Sequence, residues 1–302
     1  MKYFIISDIH SFYKELIESL EMSGFDINNE NHTLVVLGDV FDRGNETKKV
    51  YKFLRSVPKK RLILIKGNHE DLFLELLEKE VPSDYDFSNG TVKTFCEIAG
   101  ISEKELEYCY VFNEYIKKNG LPTYETFPNI NKKIYENWQN IKEKVKKSNI
   151  TKWIKNKCWK DYYEIGNFIL THSFIPVTSK VFDSLISTYG KDEKQYKKNF
   201  EYNPYWRKKA TKKEWYEARW GNPLLQYKAG LFNEEIKKGK TLVLGHWRCS
   251  DFHKGYKTNH NIYFSKNLIA IDATTKLSGK VNVLVINENF ICYNQYREGY
   301  EL

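Results

Sequence analysis

Five short islands of Asp, His and Asn are spread along the chain: Asp8-Ile9-His10, Gly38-Asp39-Val40-Phe41-Asp42-Arg43-Gly44, Gly67-Asn68-His69-Glu70, His172 and Gly245-His246. Two divalent ions held ~3.5–4 Å apart need this kind of set: hard oxygen ligands, neutral imidazoles and one carboxylate that touches both ions. Asp8 and His10 alternate along the end of a strand, so both face one way and can reach one ion. Asp39 is the natural bridging carboxylate. Asn68 offers an amide oxygen, and His172 and His246 complete the second ion's shell. Water shared by two such ions loses a proton near neutral pH and becomes a nucleophile. Aimed at phosphorus, it displaces a leaving oxygen in line. His69 is the candidate donor of a proton to that oxygen, with Asp42 as its orienting carboxylate. Arg43 has the fork geometry to hold two phosphate oxygens. Taken singly, Asp39 and Asp42 also read as a helix-capping pair and Asn68 as an Asx turn. The five islands together argue for one site.

Elements that end at the islands must position them. Tyr3–Ser7, Thr33–Leu37 and Leu62–Lys66 are short apolar runs suited to buried strands, and helical spacing covers Phe12–Met22, Thr47–Arg55 and Glu70–Glu80. Strands alternating with helices predict a largely parallel sheet covered on both faces, with ligands gathered where the strands end. Glu70 and Asp71 read as the start of a helix, favouring its dipole, and His32, His253 and His260 as surface-loop residues.

From Val81 to Lys160 the text is polar, aromatic and Lys-rich, with helical patches at Ser102–Lys118 and Lys132–Lys147. This predicts a helical insertion over 81–160, capping the site and dividing one catalytic domain into 1–80 and 161–302. Sheet text resumes at Glu164–Thr171 and leads to His172. An aromatic stretch runs from Ser184 to Gly230. Thr241–Leu244, Leu268–Ile271 and Val281–Ile286 predict a second sheet.

The chain has 302 residues, 41% of them apolar, enough for one large domain or one domain with an insertion. No stretch approaches the ~18 apolar residues of a membrane span. Residues 1–6 run straight into the first island and are too short for a signal peptide. The five cysteines have no CxxC spacing, which predicts reduced thiols and a cytoplasmic location. Of the net charge of +9, most comes from residues 131–160, with ten lysines against Glu136 and Glu143. Such a block can attract phosphates or nucleic acid. Its sparse arginine favours the plainer reading of a solvated helical face.

With these motifs the chain resembles the metallophosphoesterase superfamily. More narrowly, it resembles the branch of phosphoprotein phosphatases, small bacterial and phage serine/threonine phosphatases, and symmetrical diadenosine tetraphosphate hydrolases. That branch carries GDxHG, GDxxDRG, GNHE, a later His and a GH motif. The likeness covers roughly residues 1–80 and 161–290, including Ile269-Ala270-Ile271-Asp272-Ala273. It implies an α/β fold (α+β by some schemes): a four-layer β-sandwich flanked by helices, with the metals at the sheet edge. It implies a first ion on Asp8, His10 and Asp39, and a second on Asp39, Asn68, His172 and His246. It makes His69 and Asp42 an acid pair and Arg43 a phosphate clamp. The implied cofactors are two divalent ions, manganese foremost, with iron, zinc, cobalt or nickel as alternatives. The implied activity is hydrolysis of phosphomonoesters, phosphoproteins among them. Symmetrical hydrolysis of dinucleoside polyphosphates is the alternative, ahead of phosphodiesterase, nuclease or scaffold roles. The implied partner is a phosphorylated substrate, phosphoprotein or nucleotide, with no membrane. The chain departs from the family pattern at Ser7 and Ser11, which replace glycines, and at Ser173-Phe174 after His172. Arg248 stands where GHxH relatives carry a second histidine, which argues for the phosphatase branch and offers a further phosphate contact. Arg219 beside Trp220 is the counterpart of a second substrate-binding arginine.

Overall fold

The computed structural model describes residues 1–124, 126–156, 158–180, 192–253, 258–287 and 289, and the strands at 292–294 and 299–300. In chain order the strands are β1 (Lys2–Ile6), β2 (His32–Val36), β3 (Leu62–Ile65), β4 (Trp159–Lys160), β5 (Tyr162–Ile165), β6 (Phe168–Thr171), β7 (Val177–Ser179), β8 (Phe200–Tyr202), β9 (Thr241–Leu244), β10 (Tyr263–Ser265), β11 (Leu268–Ala270), β12 (Leu284–Ile286), β13 (Cys292–Asn294) and β14 (Gly299–Tyr300). The first sheet has seven strands in the order β14-β13-β12-β1-β2-β3-β4, and the second has five in the order β10-β11-β9-β6-β5. β1, β2, β3 and β4 run parallel, with Phe4 level with Leu34 and Leu64 level with Trp159. In the second sheet β6, β9 and β11 run parallel to one another.

Side chains along a strand alternate between two faces, and here both faces are apolar. Ile5, Val35 and Ile65 meet Phe168, Leu170, Val243 and Ile269 from the second sheet. Their neighbours Phe4, Ile6, Leu34, Val36 and Leu64 turn outward to a layer of helices. Ile169, Leu242, Leu244 and Leu268 turn the other way, to Trp206, Trp215 and Phe232. The result is helix, sheet, sheet, helix, the four-layer architecture that the resemblance implied. The residue patterning alone predicted a sheet with helices on both faces. A second sheet occupies one face instead, because its strands carry the same two-sided apolar run.

The helices of the first layer are α1 (Tyr13–Ser23), α2 (Thr47–Ser56), α3 (Asn68–Glu78), α4 (Asp84–Ser88), α5 (Thr91–Ala99), α6 (Tyr108–Asn119), α7 (Thr126–Lys147) and α8 (Asn149–Ile154). The segment 81–160 is helical. Its Val92, Phe95, Trp138, Ile141 and Trp153 share one core with α1, α2, α3 and the outer face of the first sheet. Its last two described residues before 161 form β4, an edge strand of that sheet.

Four local expectations differ from the structure. Val281–Ile286, read as part of the second sheet, contains β12, which pairs antiparallel with β1 in the first. Glu164–Thr171 is two antiparallel strands, turning at Gly166 with φ +54°. Ser102–Lys118 divides into a 3-10 turn at Glu103–Leu106 and α6. His32 is buried, packed against Phe4 and Phe25, with its Nδ1 accepting from the Asp26 N–H at 3.0 Å. The aromatic stretch from Ser184 begins outside the described residues; Trp206 and Trp215 are buried in the second core. Cys96, Cys109, Cys158 and Cys249 are free thiols. No described helix is long and apolar enough to cross a membrane.

Candidate metal centre

Three parallel strands from each sheet deliver polar residues to one edge of the sandwich. Asp8 follows β1, Asp39 follows β2, Asn68 follows β3, His172 follows β6, His246 follows β9 and Asp272 follows β11. The loops there are bent hard. Asp8, His10, Ser11, Asp39, Asp42, Arg43, His246 and Thr274 are the eight non-glycine residues at positive φ among the described ones, and all lie in these loops. Such backbone costs of order 1–3 kcal/mol per residue and persists only where its surroundings fix it.

The surroundings are visible at Asp39. Glu70, in the first turn of α3, accepts the N–H groups of Asp39 and Val40 at 3.0 Å and of Gly67 at 2.8 Å. The Asp39 carboxylate in turn accepts the His69 N–H at 3.0 Å, so it lies on the positive end of α3. Glu70 therefore does more than favour a dipole: it locks the loop after β2 to the loop after β3. At Gly245 a Cβ would overlap Ser7 Oγ and Asp8 Oδ2, which brings the two sheets' loops into direct contact.

Ligand atoms converge in two groups that share Asp39: His10, Asp39 and His69, then Asp39, His172 and His246, each within 4.8 Å of one another. Asp39 Oδ2 faces His10 Nε2 at 3.8 Å and His69 Nε2 at 3.9 Å, while Oδ1 faces His172 Nε2 at 3.4 Å. One carboxylate thus addresses both groups with different oxygens. His10 Nδ1 donates to the Phe41 carbonyl at 2.9 Å, and His172 Nδ1 to the Leu37 carbonyl at 2.6 Å. Each Nε2 lone pair is thereby aimed inward. Asp8 lies outside both groups; its Oδ2 accepts the Ser7 hydroxyl and, at 2.9 Å, the His246 N–H.

The donor set fits divalent cations. The Asn68 amide faces His172 Nε2 at 2.8 Å, His246 Nδ1 at 3.1 Å and the Asp39 oxygens at 3.3 and 3.2 Å. With its oxygen inward, only acceptors converge, and a cation among them stabilises the cluster; with its nitrogen inward, the amide donates to those same atoms. Burial, then Arg43 and His69, holds His10 well below the usual histidine range. Burial and His246 do the same to His172, and burial with His69 and Arg43 brings His246 to about 3. All three imidazoles are neutral at pH 7, as metal ligands must be. Burial raises Asp8, with Asp272 adding to it, and burial with Asp8 and Glu70 raises Asp39. Crowded buried carboxylates of this kind are relieved by a cation.

Beside the groups lies a second constellation. His69 Nδ1 meets Asp42 Oδ2 at 2.6 Å, and Arg43 Nη2 is 3.4 Å from His69 Nε2. The two other arginines singled out by the sequence have partners of their own. Arg219 is buried and donates from Nε to Asp71 at 2.7 Å and from Nη1 to Asp161 at 3.0 Å. Arg248 is exposed and forms a two-point pair with Asp251 at 3.0 and 3.2 Å. Sequence reasoning missed Glu70 as a clamp. It also missed Thr91 and Thr94, whose hydroxyls donate to Asp42 at 2.9 and 2.7 Å.

The sequence profile of the calcineurin-like phosphoesterases matches residues 1–193. The chain belongs to that family. That family uses divalent metals. The asymmetrical bis(5'-nucleosyl)-tetraphosphatase PrpE of Halalkalibacterium halodurans is 28% identical over 137 residues, which cover 42% of this chain and 53% of that protein. The symmetrical bis(5'-nucleosyl)-tetraphosphatase of Buchnera aphidicola subsp. Schizaphis graminum is 40% identical over 70 residues, 23% of this chain and 24% of that protein. The chain thus spans about half the length of the first of these calcineurin-like relatives and about a quarter of the second. Among solved structures, a cold-active protein-tyrosine phosphatase from a psychrophilic Shewanella aligns with TM-score 0.44 at 14% identity, covering 99% of this chain and 79% of that one.

Proposed function

We propose that this calcineurin-like phosphoesterase is a two-metal phosphomonoesterase. The observation that carries the reading is Asp39, whose two oxygens address two ligand groups while His69, Asp42 and Arg43 stand alongside. In this reading His10 and Asp39, with Asp8 from the adjoining strand end, hold one ion. Asp39, Asn68, His172 and His246 hold the other. Two bound divalent ions, manganese foremost, would supply activated water and neutralise phosphoryl charge. Arg43 grips the phosphoryl oxygens through its fork. Asp42 fixes the His69 ring through Nδ1, so that Nε2 presents its proton to the leaving oxygen. Arg248 in place of a second late histidine supports monoesters over diesters, and proteins phosphorylated on Ser, Thr or Tyr are the leading substrate class. Chelator-stripped protein titrated with Mn²⁺ is expected to release p-nitrophenol from p-nitrophenyl phosphate and little from bis-p-nitrophenyl phosphate. Diester preference, or no turnover with any divalent ion, sinks the reading.

The curated relatives favour a second reading, cleavage of dinucleoside polyphosphates. Incubation with diadenosine tetraphosphate separates the modes: ADP alone marks symmetrical cleavage, and ATP with AMP marks asymmetrical cleavage. Intact substrate removes this reading.

A further inference from the structure

One helical turn grips the Asp42-Arg43 dipeptide from several sides. Thr94 Oγ1 accepts the Asp42 N–H at 3.0 Å and donates to Asp42 Oδ1 at 2.7 Å. Thr91 Oγ1 donates to Asp42 Oδ2 at 2.9 Å, the same oxygen that meets His69 Nδ1 at 2.6 Å. Lys93 Nζ donates to the Arg43 carbonyl at 3.1 Å. Gly90, at φ +82°, approaches so closely that a Cβ would overlap the Arg43 backbone nitrogen. Thr91 and Thr94 are buried, as is Asp42 itself. Their partners lie 49 and 52 residues away in sequence. Asp42 and Arg43 both sit in the left-handed region, at φ +75° and +58°. A residue held there needs an external constraint to stay in place.

We propose that Thr91 and Thr94 are positioning residues of the acid pair. They fix both oxygens of Asp42, and through Oδ2 they set the ring of His69, so that Nε2 points at the leaving oxygen. α5 is thus the backing plate of the proton donor. The inference rests on reading His69 and Asp42 as an acid pair. It goes beyond that reading by assigning the donor's aim to two side chains outside the motif islands.

A positioning role predicts a loss that depends on how much the leaving group needs a proton. p-Nitrophenolate departs readily unprotonated, whereas phenolate does not. Thr94→Val keeps the shape and removes both hydrogen bonds, and Thr94→Ser keeps the hydroxyl. Thr94→Val is expected to lower kcat on phenyl phosphate by roughly 10-fold or more, a fraction of the ~10²–10⁴-fold that a general acid supplies. Its loss on p-nitrophenyl phosphate should be several-fold smaller, with KM and bound metal unchanged, and Thr94→Ser should recover most of the rate. Thr91→Val, which removes one hydrogen bond, should show the same asymmetry in smaller measure and carries the test if Thr94→Val does not fold. Equal losses on both esters, or a loss that serine does not restore, overturn the proposal. Asp42→Asn is the control. If it too shows no leaving-group dependence, the acid assignment fails, which is distinct from failure of the threonines alone.

Discussion

The strand ends of the first sheet and those of the second contribute to the centre in different ways. The first sheet brings whole loops. Asp8 to Ser11, Asp39 to Gly44 and Gly67 to Glu70 carry the proposed ligands, proton donor and clamp with their own backbone scaffolding, and six of the eight non-glycine left-handed residues among the described ones lie there: Asp8, His10, Ser11, Asp39, Asp42 and Arg43. The second sheet brings mainly single side chains, His172 and His246, and its two notable arginines are occupied by Asp71, Asp161 and Asp251. One sheet builds the chemistry and the other closes it. Changes in the first should therefore act on turnover, and changes in the second on assembly.

The sharpest way to break that contrast is Asp39→Asn, which removes the carboxylate common to both ligand groups. Turnover on p-nitrophenyl phosphate should fall by more than the ~10²–10⁴-fold of a lost general acid, and emission spectroscopy should find less than the full metal complement. A variant with full metal and full rate would end the bridging assignment. His69→Asn comes next, with an expected loss of ~10²–10⁴-fold in kcat on phenyl phosphate. Because His69 Nε2 also stands in the first ligand group, metal content decides its part: retained metal marks a donor, lost metal a ligand.

On the other sheet, Arg219→Ala removes one of the two cations on buried Asp71, which keeps Lys66, so the cost should fall below the about 3–5 kcal/mol of a buried charge left unpaired. A moderate fall in melting temperature is expected. An unchanged melting temperature with weaker inhibition by inorganic phosphate would instead make Arg219 a substrate contact. Manganese at a hundred times its Kd should stabilise the stripped protein by about 2.7 kcal/mol, and Asp8→Asn or Asp39→Asn should abolish that gain; a thermal scan with and without the ion measures it. The smallest effect is Arg248→Ala, whose exposed pair with Asp251 should matter within ~0.5 kcal/mol. A greater change in stability would show that the pair carries more than surface charge.

The contrast also sets what was legible. Asp8, Asp39 and Asn68 could be placed at the sheet edge because each follows an apolar strand; Asp8 and His10 do not alternate on a strand as expected, since both lie beyond β1 at positive φ. The four layers could not be read from patterning alone, since a strand buried on both faces looks the same whether a helix or a sheet covers it. Glu70 was read correctly as a first-turn residue, but its reach back to Asp39 was not legible, because an acidic residue there has one signature whether or not it also serves a neighbouring loop. Thr91 and Thr94 lie in polar text about fifty residues from Asp42, where no periodicity points across the gap. Arg219 was found as a residue type beside Trp220, but nothing local names Asp71, 148 positions away, as its partner.

Gly245 carries a consequence for the order in which the molecule comes together. The His246 N–H bonds to Asp8 across 238 residues, and only a glycine lets the two loops close that gap. Contacts of such separation cost the most loop-closure entropy, so this one is expected to form after the local helices and the parallel strands β1 to β3. During synthesis His10 and Asp39 can meet a cation long before His246 has left the ribosome. The two halves of the proposed centre are then expected to load in sequence, the second only once the second sheet has closed against the first.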